Sequence, residues 1–409
     1  MAVDTGNVAF MLIATSLVML MTPGLAFFYG GLVGRKNVLT IMLQSFVSMA
    51  ITDVLWFTVG FSMCFSGDGP IIGDLHHAFL MNMDMNTPFA GNPTIPLYVF
   101  CVYQMMFAVI TPALITGAFT NRVSFKSYLI FLCAWQFLVY YPFVHMVWGG
   151  GILADWGVKD FAGGIVVHAT AGMAALAAVF YVGARKVKDS SAHSIPLVAL
   201  GTGLLWFGWY GFNAGSELAV DEVTVLAFLN TDLAASVAAA TWLVLAWKFE
   251  KKPKFIGLLT GAIAGLATIT PAAGYVTPSA AIIIGMMAGA VCYSAIWYKN
   301  HKKWDDSLDV WGVHGVGGIL GTILLGVFGY YGVTGLAFGG VEFFGKQVVA
   351  VAFAAAYAFG FTYAMLWVIN KITPVRVTEA QETLGLDEAI HGEEAYNGET
   401  PENIGANKL

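Results

Sequence analysis

The sequence predicts an all-α integral membrane protein with 11 transmembrane helices, N-terminus outside and C-terminus inside. The helices form two inverted five-helix repeats plus a final helix. Three observations carry that prediction. The 409 residues are 58% hydrophobic and only 11% charged, whereas a soluble domain is about a quarter charged. Apolar runs of about 20 residues recur about 11 times between short polar loops, and each is long enough to cross the hydrocarbon as a helix but unsuited to a strand. Finally, the basic residues fall into alternate loops.

The runs cover approximately 8–32, 38–65, 94–120, 126–145, 161–184, 195–215, 223–247, 255–274, 278–298, 311–331 and 346–371. The first follows no basic stretch and continues through Gly31, so it reads as a retained span and not a cleaved signal. Arg35 and Lys36 follow it; Arg122 and Lys126 follow the third run, and Arg185, Lys186 and Lys188 the fifth. Lys248, Lys251, Lys252 and Lys254 follow the seventh run, Lys299, Lys302 and Lys303 the ninth, and Lys371 and Arg376 close the last. The opposite loops hold only Lys159 and Lys346 of the 19 basic residues. Cytoplasmic loops collect Lys and Arg, which fixes the expected orientation and a multi-pass location in the cytoplasmic membrane.

An internal duplication is expected as well. Asp160 precedes His168 by eight residues, and Asp306 precedes His314 by eight. The first pair enters its span from outside and the second from the cytoplasm. Five spans repeated give inverted halves, about 8–184 and 195–331, with a functional site where they meet. The membrane domain is then 1–373, and 374–409 a cytoplasmic tail holding eight of the 25 acidic residues. Glycine rows such as Gly257, Gly261 and Gly265, or Gly285 and Gly289, read as close helix packing. Cys64, Cys101, Cys133 and Cys292 lie singly in apolar runs, so they read as buried, inert thiols and not metal ligands. Neither a cofactor nor a nucleic-acid partner is expected.

Chemistry concentrates in residues 145–172. Trp148 and Trp156 flank a glycine-rich loop, Asp160 stands at the mouth of an apolar helix, and His168 lies eight residues on, about 12 Å along a straight helix. An ionisable group at that depth is costly and marks a pathway or relay. Trp148 offers an indole face to a cation, worth roughly 0.5–2 kcal/mol, and the Ser216 hydroxyl is a hydrogen-bond acceptor for a small ammonium-type ion. An interfacial tryptophan belt and a loop serine are the plainer reading. Phe107 and Phe212 sit near the outer ends of their spans, among 30 phenylalanines. Asp160 suits a helix N-cap. His168 and His314, if paired, share a hydrogen bond and pass a proton; metal or haem ligation and a structural pair are the alternatives. Asp53 and Asp232 lie inside spans, where an acid is expensive, and a bundle partner or a subunit contact is their expected account.

These residues resemble the ammonium transporters of the Amt/Mep/Rh superfamily, of the bacterial and archaeal Amt type, over nearly the whole chain. The likeness runs through Pro23-Gly-Leu-Ala-Phe-Phe-Tyr-Gly-Gly, His145-Met-Val-Trp-Gly-Gly-Gly, Asp160-Phe-Ala-Gly-Gly-Ile-Val-Val-His and Gly208-Trp-Tyr-Gly-Phe-Asn-Ala-Gly-Ser. It continues in Thr270-Pro-Ala-Ala-Gly-Tyr, Asp309-Val-Trp-Gly-Val-His-Gly and His391-Gly-Glu-Glu-Ala-Tyr-Asn. The resemblance implies a transporter, not an enzyme, built as a homotrimer with one narrow pore per subunit. Trp148, Phe107 and Ser216 would recruit ammonium, with methylammonium as an analogue. Phe107 and Phe212 would form a gate, His168 and His314 would line the pore, and Asp160 would support the recruitment site. His391, Gly392, Tyr396 and Asn397 would belong to a regulatory tail, with a PII-type signal protein as partner at the cytoplasmic face. By composition alone the tail is equally a disordered acidic segment. Asp53 and Asp232 depart from the family pattern. A membrane redox enzyme and an ammonium sensor are the competing readings.

Overall fold

The computed structural model describes residues 3–187 and 192–396; Lys188 and Asn397 lie outside them. Among the described residues, ten helices are long and apolar enough to cross a membrane. They are α1 (Thr5–Leu32), α2 (Arg35–Phe65), α3 (Leu97–Phe119), α4 (Phe125–Asp155) and α5 (Gly164–Val182), then α6 (Ile195–Glu217) and α7 (Glu222–Glu250). After a shorter helix, α8 (Phe255–Ile269), follow α9 (Pro278–His301), α10 (Trp311–Phe328) and α11 (Val341–Ile372). Helix α8 has 15 residues, short of the run expected to reach 274. The chain leaves the helix at Thr270-Pro271 and turns, and the Pro271 carbonyl accepts the Phe161 N–H at 3.1 Å. A short antiparallel hairpin, β1 (Pro88–Phe89) with β2 (Asn92–Pro96), precedes α3, so the third helix starts later than the apolar run.

Burial separates the centre from the rim. The apolar windows of α3 and α5 are 89% and 83% buried, whereas α11 is 33% buried and coats the outside. Helix α1 packs along α6, and α5 packs on the start of α10. The glycine rows lie where a side chain would collide: a Cβ on Gly265 would stand 2.5 Å from the Ala234 carbonyl, and one on Gly285 2.7 Å from the same oxygen. The small faces of α8 and α9 thereby clasp the Ala234–Ala238 stretch of α7. Three of the four cysteines are buried and Cys133 is partly so, all as free thiols.

Four of the membrane helices contain π turns among the described residues: Trp56–Gly60, Gln136–Tyr140, Gly164–Ala169 and Trp311–Gly315. The last two contain His168 and His314. A π turn widens the helix locally and is frequent at functional positions.

Beyond α11 the chain crosses the face that carries the basic loops and stays packed through residue 396. Glu379–Leu384 form α12, with a Thr378 capping box. The Asp387 carboxylate accepts the Leu39 and Thr40 N–H groups at 2.9 and 2.7 Å. Glu382 Oε1 accepts the Lys186 and Val187 N–H groups, and its other oxygen meets Arg376 at 3.0 Å. Tyr396 receives the His193 ring at 2.9 Å and the Arg35 guanidinium over its face at 5.3 Å, while His391 stands edge-on to Phe125 and Gly392 takes the left-handed cap at φ 67°.

Candidate functional site

On the face opposite the basic loops, a cavity of about 250 Å³ is lined by Trp148, Asp160, Ser216, Gln104 and Tyr275. Trp148 ends the helical part of α4 and the chain then turns through three glycines. Three contacts hold that turn. The His145 ring nitrogens reach the Cys64 and Gly69 carbonyls at 2.9 and 2.6 Å, and the Trp148 indole N–H donates to the Asp160 carbonyl at 2.8 Å. With its N–H occupied, the indole leaves its π face for the cavity.

Asp160 is buried at 5% exposure, and its side chain winds up the start of α5. One carboxylate oxygen accepts the Gly163 and Gly164 N–H groups at 2.8 and 2.7 Å; the other accepts Ile165 and Val166 at 2.7 and 3.1 Å. Four donors on one carboxylate satisfy the first orphan amides of the helix and place the negative charge at its positive end. Since α5 begins at Gly164, only part of the eight-residue Asp160–His168 separation is helical, and the straight-helix rise of about 12 Å does not apply. Asp306 repeats the arrangement on the other face: its oxygens accept the Val310 and Trp311 N–H groups at 3.1 and 2.9 Å, before the π turn that holds His314.

Beneath Trp148 lie Phe107 and Phe212. Phe107 stands edge-on to the indole, with ring centroids 6.2 Å apart and planes at 88°. It meets Phe212 at 4.3 Å and 33°. Both phenylalanines are 1% exposed, packed between the cavity and the bundle centre. Ser216 Oγ donates to the Phe212 carbonyl at 2.9 Å and stands 3.2 Å from the Tyr103 hydroxyl, which still leaves it a lone pair able to accept.

Under Phe212 the two imidazoles meet. His168 and His314 approach Nδ1 to Nδ1 at 3.2 Å, with ring centroids 5.2 Å apart and planes 20° from parallel. One Nδ1 therefore donates and the other accepts, and each ring fixes the other's tautomer. His168 also lies against Trp209 at 5.4 Å and Phe212 at 6.0 Å. The rings border a constriction of about 10 Å³ walled by carbon from Leu25, Ile110, Leu114 and Leu205, about the space one water needs. His314 also borders a second cavity, about 180 Å³, on the basic face with Tyr29, Ser307 and Asp309. Among the described residues no group of three or more His, Cys, Asp or Glu is placed to hold a metal ion.

The structure thus brings seven of the candidate residues onto one line, from Trp148, Ser216 and Asp160 through Phe107 and Phe212 to His168 and His314. His391, Gly392 and Tyr396 belong to the tail on the basic face, away from that line; Asn397 is outside the described residues. Two residues on the line escaped the sequence reading. Gln104 and Trp209 each precede one of the two packed phenylalanines by three residues, one helical turn, and counting back from Phe107 and Phe212 would have found both. The intramembrane acids separate. Asp232 accepts from Tyr210 O–H at 2.6 Å and Trp206 Nε1 at 3.2 Å, a partner within the bundle, whereas Asp53 Oδ1 is buried without a hydrogen-bond partner.

A helical bundle that crosses the membrane many times, and whose core holds a cavity toward each face with a small carbon-walled space between them, fits a membrane transporter, not an enzyme. The sequence pattern of the Ammonium Transporter Family matches residues 9–396, and the chain belongs to that family. It is 44% identical over 398 residues to the "Ammonium transporter" of Bacillus subtilis, covering 96% of this chain and 98% of that one. Its identity to the "Ammonium transporter Amt1" of Archaeoglobus fulgidus is 43%, over 96% of this chain and 99% of that one. Among solved structures, Mep2 of Candida albicans superposes with a TM-score of 0.87 at 33% identity, over 93% of this chain and 88% of that one. A structure described as a "Sensor Amt Protein" does so with a TM-score of 0.87 at 31% identity, over 94% and 98%.

Proposed function

We propose that this protein carries ammonium and ammonia selectively across the cytoplasmic membrane, recruiting the ion outside, handing its proton to the His168–His314 relay, and passing ammonia along the same two rings. The observation that carries this reading is the unbroken succession of polar cavity, aromatic pair and imidazole pair. The family membership supports the substrate, because the matched relatives are named ammonium transporters.

The ion is collected by the Trp148 face and the Ser216 hydroxyl, with Phe107 as the edge of the site. Asp160 attracts cations without binding them directly, since its carboxylate is already occupied by four backbone donors. Potassium matches ammonium closely in size, so size does not discriminate. Ammonium donates hydrogen bonds and sheds a proton; potassium does neither. A constriction walled by carbon offers an alkali ion no replacement for its water shell, and two neutral imidazoles accept from or donate to a small polar molecule in turn. Phe107 and Phe212 must part for each passage.

On this reading the basic face is cytoplasmic. Helix α8 makes an eleventh crossing, its 15 residues rising about 22 Å and the turn at 270–277 completing the depth. The halves 8–184 and 195–331 are inverted repeats, as the paired Asp306 and Asp160 caps support. The resemblance adds a homotrimer with one pore per subunit, and a PII-type protein acting at the face where the tail, including His391, Gly392 and Tyr396, is packed.

The test is ammonium-evoked current and internal pH change in proteoliposomes at several external pH values. A response to ammonium and methylammonium but not to potassium is expected, and it should vanish when His168 and His314 are both replaced by leucine. A parent protein silent to ammonium would overturn the substrate; a double variant that still conducts ammonium and excludes potassium would overturn the passage.

A further inference from the structure

Behind the imidazole pair stand two glycines, one on each of the helices that carry it. Each stands four residues after its histidine: Gly172 follows His168, and Gly318 follows His314. A Cβ built on Gly172 would sit 2.0 Å from the Gly315 backbone nitrogen, 2.1 Å from its Cα and 2.9 Å from the His314 carbonyl carbon. A Cβ on Gly318 would sit 2.7 Å from the Ala169 nitrogen, 2.7 Å from the Gly164 carbonyl oxygen and 2.8 Å from His168 Cβ. The contacts are reciprocal. Each glycine backs onto the residue that follows the other helix's histidine. In both cases the colliding atoms are mostly backbone, which no rotamer change moves aside.

From this geometry we infer that Gly172 and Gly318 are positioning residues that set the separation of His168 and His314. Helices α5 and α10 cross at these two points and therefore approach more closely than any side chain would allow. The consequence falls on the 3.2 Å Nδ1–Nδ1 contact. A methyl at Gly172 falls more than 1 Å short of ordinary contact distance and forces the helices apart, which carries the imidazoles out of hydrogen-bond range. A methyl at Gly318 asks for a smaller shift. The π turns amplify the effect, because they place both histidines at the crossing and not a turn away from it. The assignment rests on the reading of the pair as the passage for ammonia only in what the loss does to transport; the placement of the rings does not depend on it.

The experiment compares full-length Gly172→Ala and Gly318→Ala with the parent and with Gly203→Ala, where an added Cβ meets nothing within 4 Å. Each is reconstituted for ammonium flux, and each is labelled with ¹⁵N-histidine to read the Nδ1 hydrogen bond by solid-state NMR. The expected result is loss of the shared Nδ1 signal and an at least tenfold fall in flux for Gly172→Ala. Gly318→Ala should fall several-fold, and Gly203→Ala should match the parent in both readouts. If Gly172→Ala does not fold, Gly318→Ala alone decides. Parental Nδ1 signals in the glycine variants that fold would overturn the inference whatever the flux does. A lost signal with parental flux would support the placement and sink the passage reading instead.

Discussion

Trp148 shows how a residue's chemistry is set by what occupies its polar atom. Its N–H is committed to the Asp160 carbonyl, so the face alone meets the cavity, and removing the ring should cost binding together with the one hydrogen bond that ties the turn to Asp160. Trp148→Leu is expected to raise the half-saturating ammonium concentration by roughly 2- to 30-fold, the equivalent of about 0.5–2 kcal/mol of cation–π attraction, read from competition between ammonium and methylammonium. Asp160 should behave oppositely. Asp160→Ala leaves four amides without partners and is expected to lower the thermal midpoint, by a stability loss on the order of 2 kcal/mol or more, while Asp160→Asn, which keeps one accepting oxygen, should lose less. Most of this site was legible from residue type alone, since an indole, an acid and two histidines are conspicuous in an apolar chain. Gln104 and Trp209 were not, because among so many apolar and aromatic positions only their spacing from Phe107 and Phe212 sets them apart.

At the scale of the element, hydrophobic length gave ten of the crossings but not the ends of the helices. The end of α8 is decided by Pro271, and the start of α5 by the Asp160 carboxylate. The π turns at His168 and His314 have no signature in the apolar runs that contain them. The loop between α9 and α10 allows a pH test. Asp305 is partly buried, which works against its charge, but Arg185 bonds it at 2.8 Å and Arg122 stands 3.5 Å away, holding its carboxyl down to about 2. A depressed acid stabilises the folded state above its unfolded pKa and loses that contribution as pH falls through the folded one. The contribution of Asp305 to the thermal midpoint of the purified protein is therefore expected to be full and constant above about pH 4 and to be lost between about 4 and 2. Asp305→Asn should remove that segment of the curve; an unchanged acid limb would contradict the pairing.

Over the whole molecule, the tail is the part the sequence described least. Its acidic composition suits a solvated segment as well as a packed one, and the contacts that decide the matter join residues 347 and 348 positions apart, Asp387 to Thr40 and Leu39. No window along the chain can contain such a pair. Asp387→Ala is expected to loosen the segment after Leu384 and expose it to limited proteolysis, with the membrane domain left intact; equal protease resistance in the variant and the parent would mean that other contacts hold it.

The Asp387 cap also bears on how the protein is made. The carboxylate that closes the first amides of the second membrane helix is translated 348 and 347 residues after Leu39 and Thr40. The helix is therefore made before the group that seals its leading turn, and a chain cut short of Asp387 would show the loss at those two amides, far back in its own sequence.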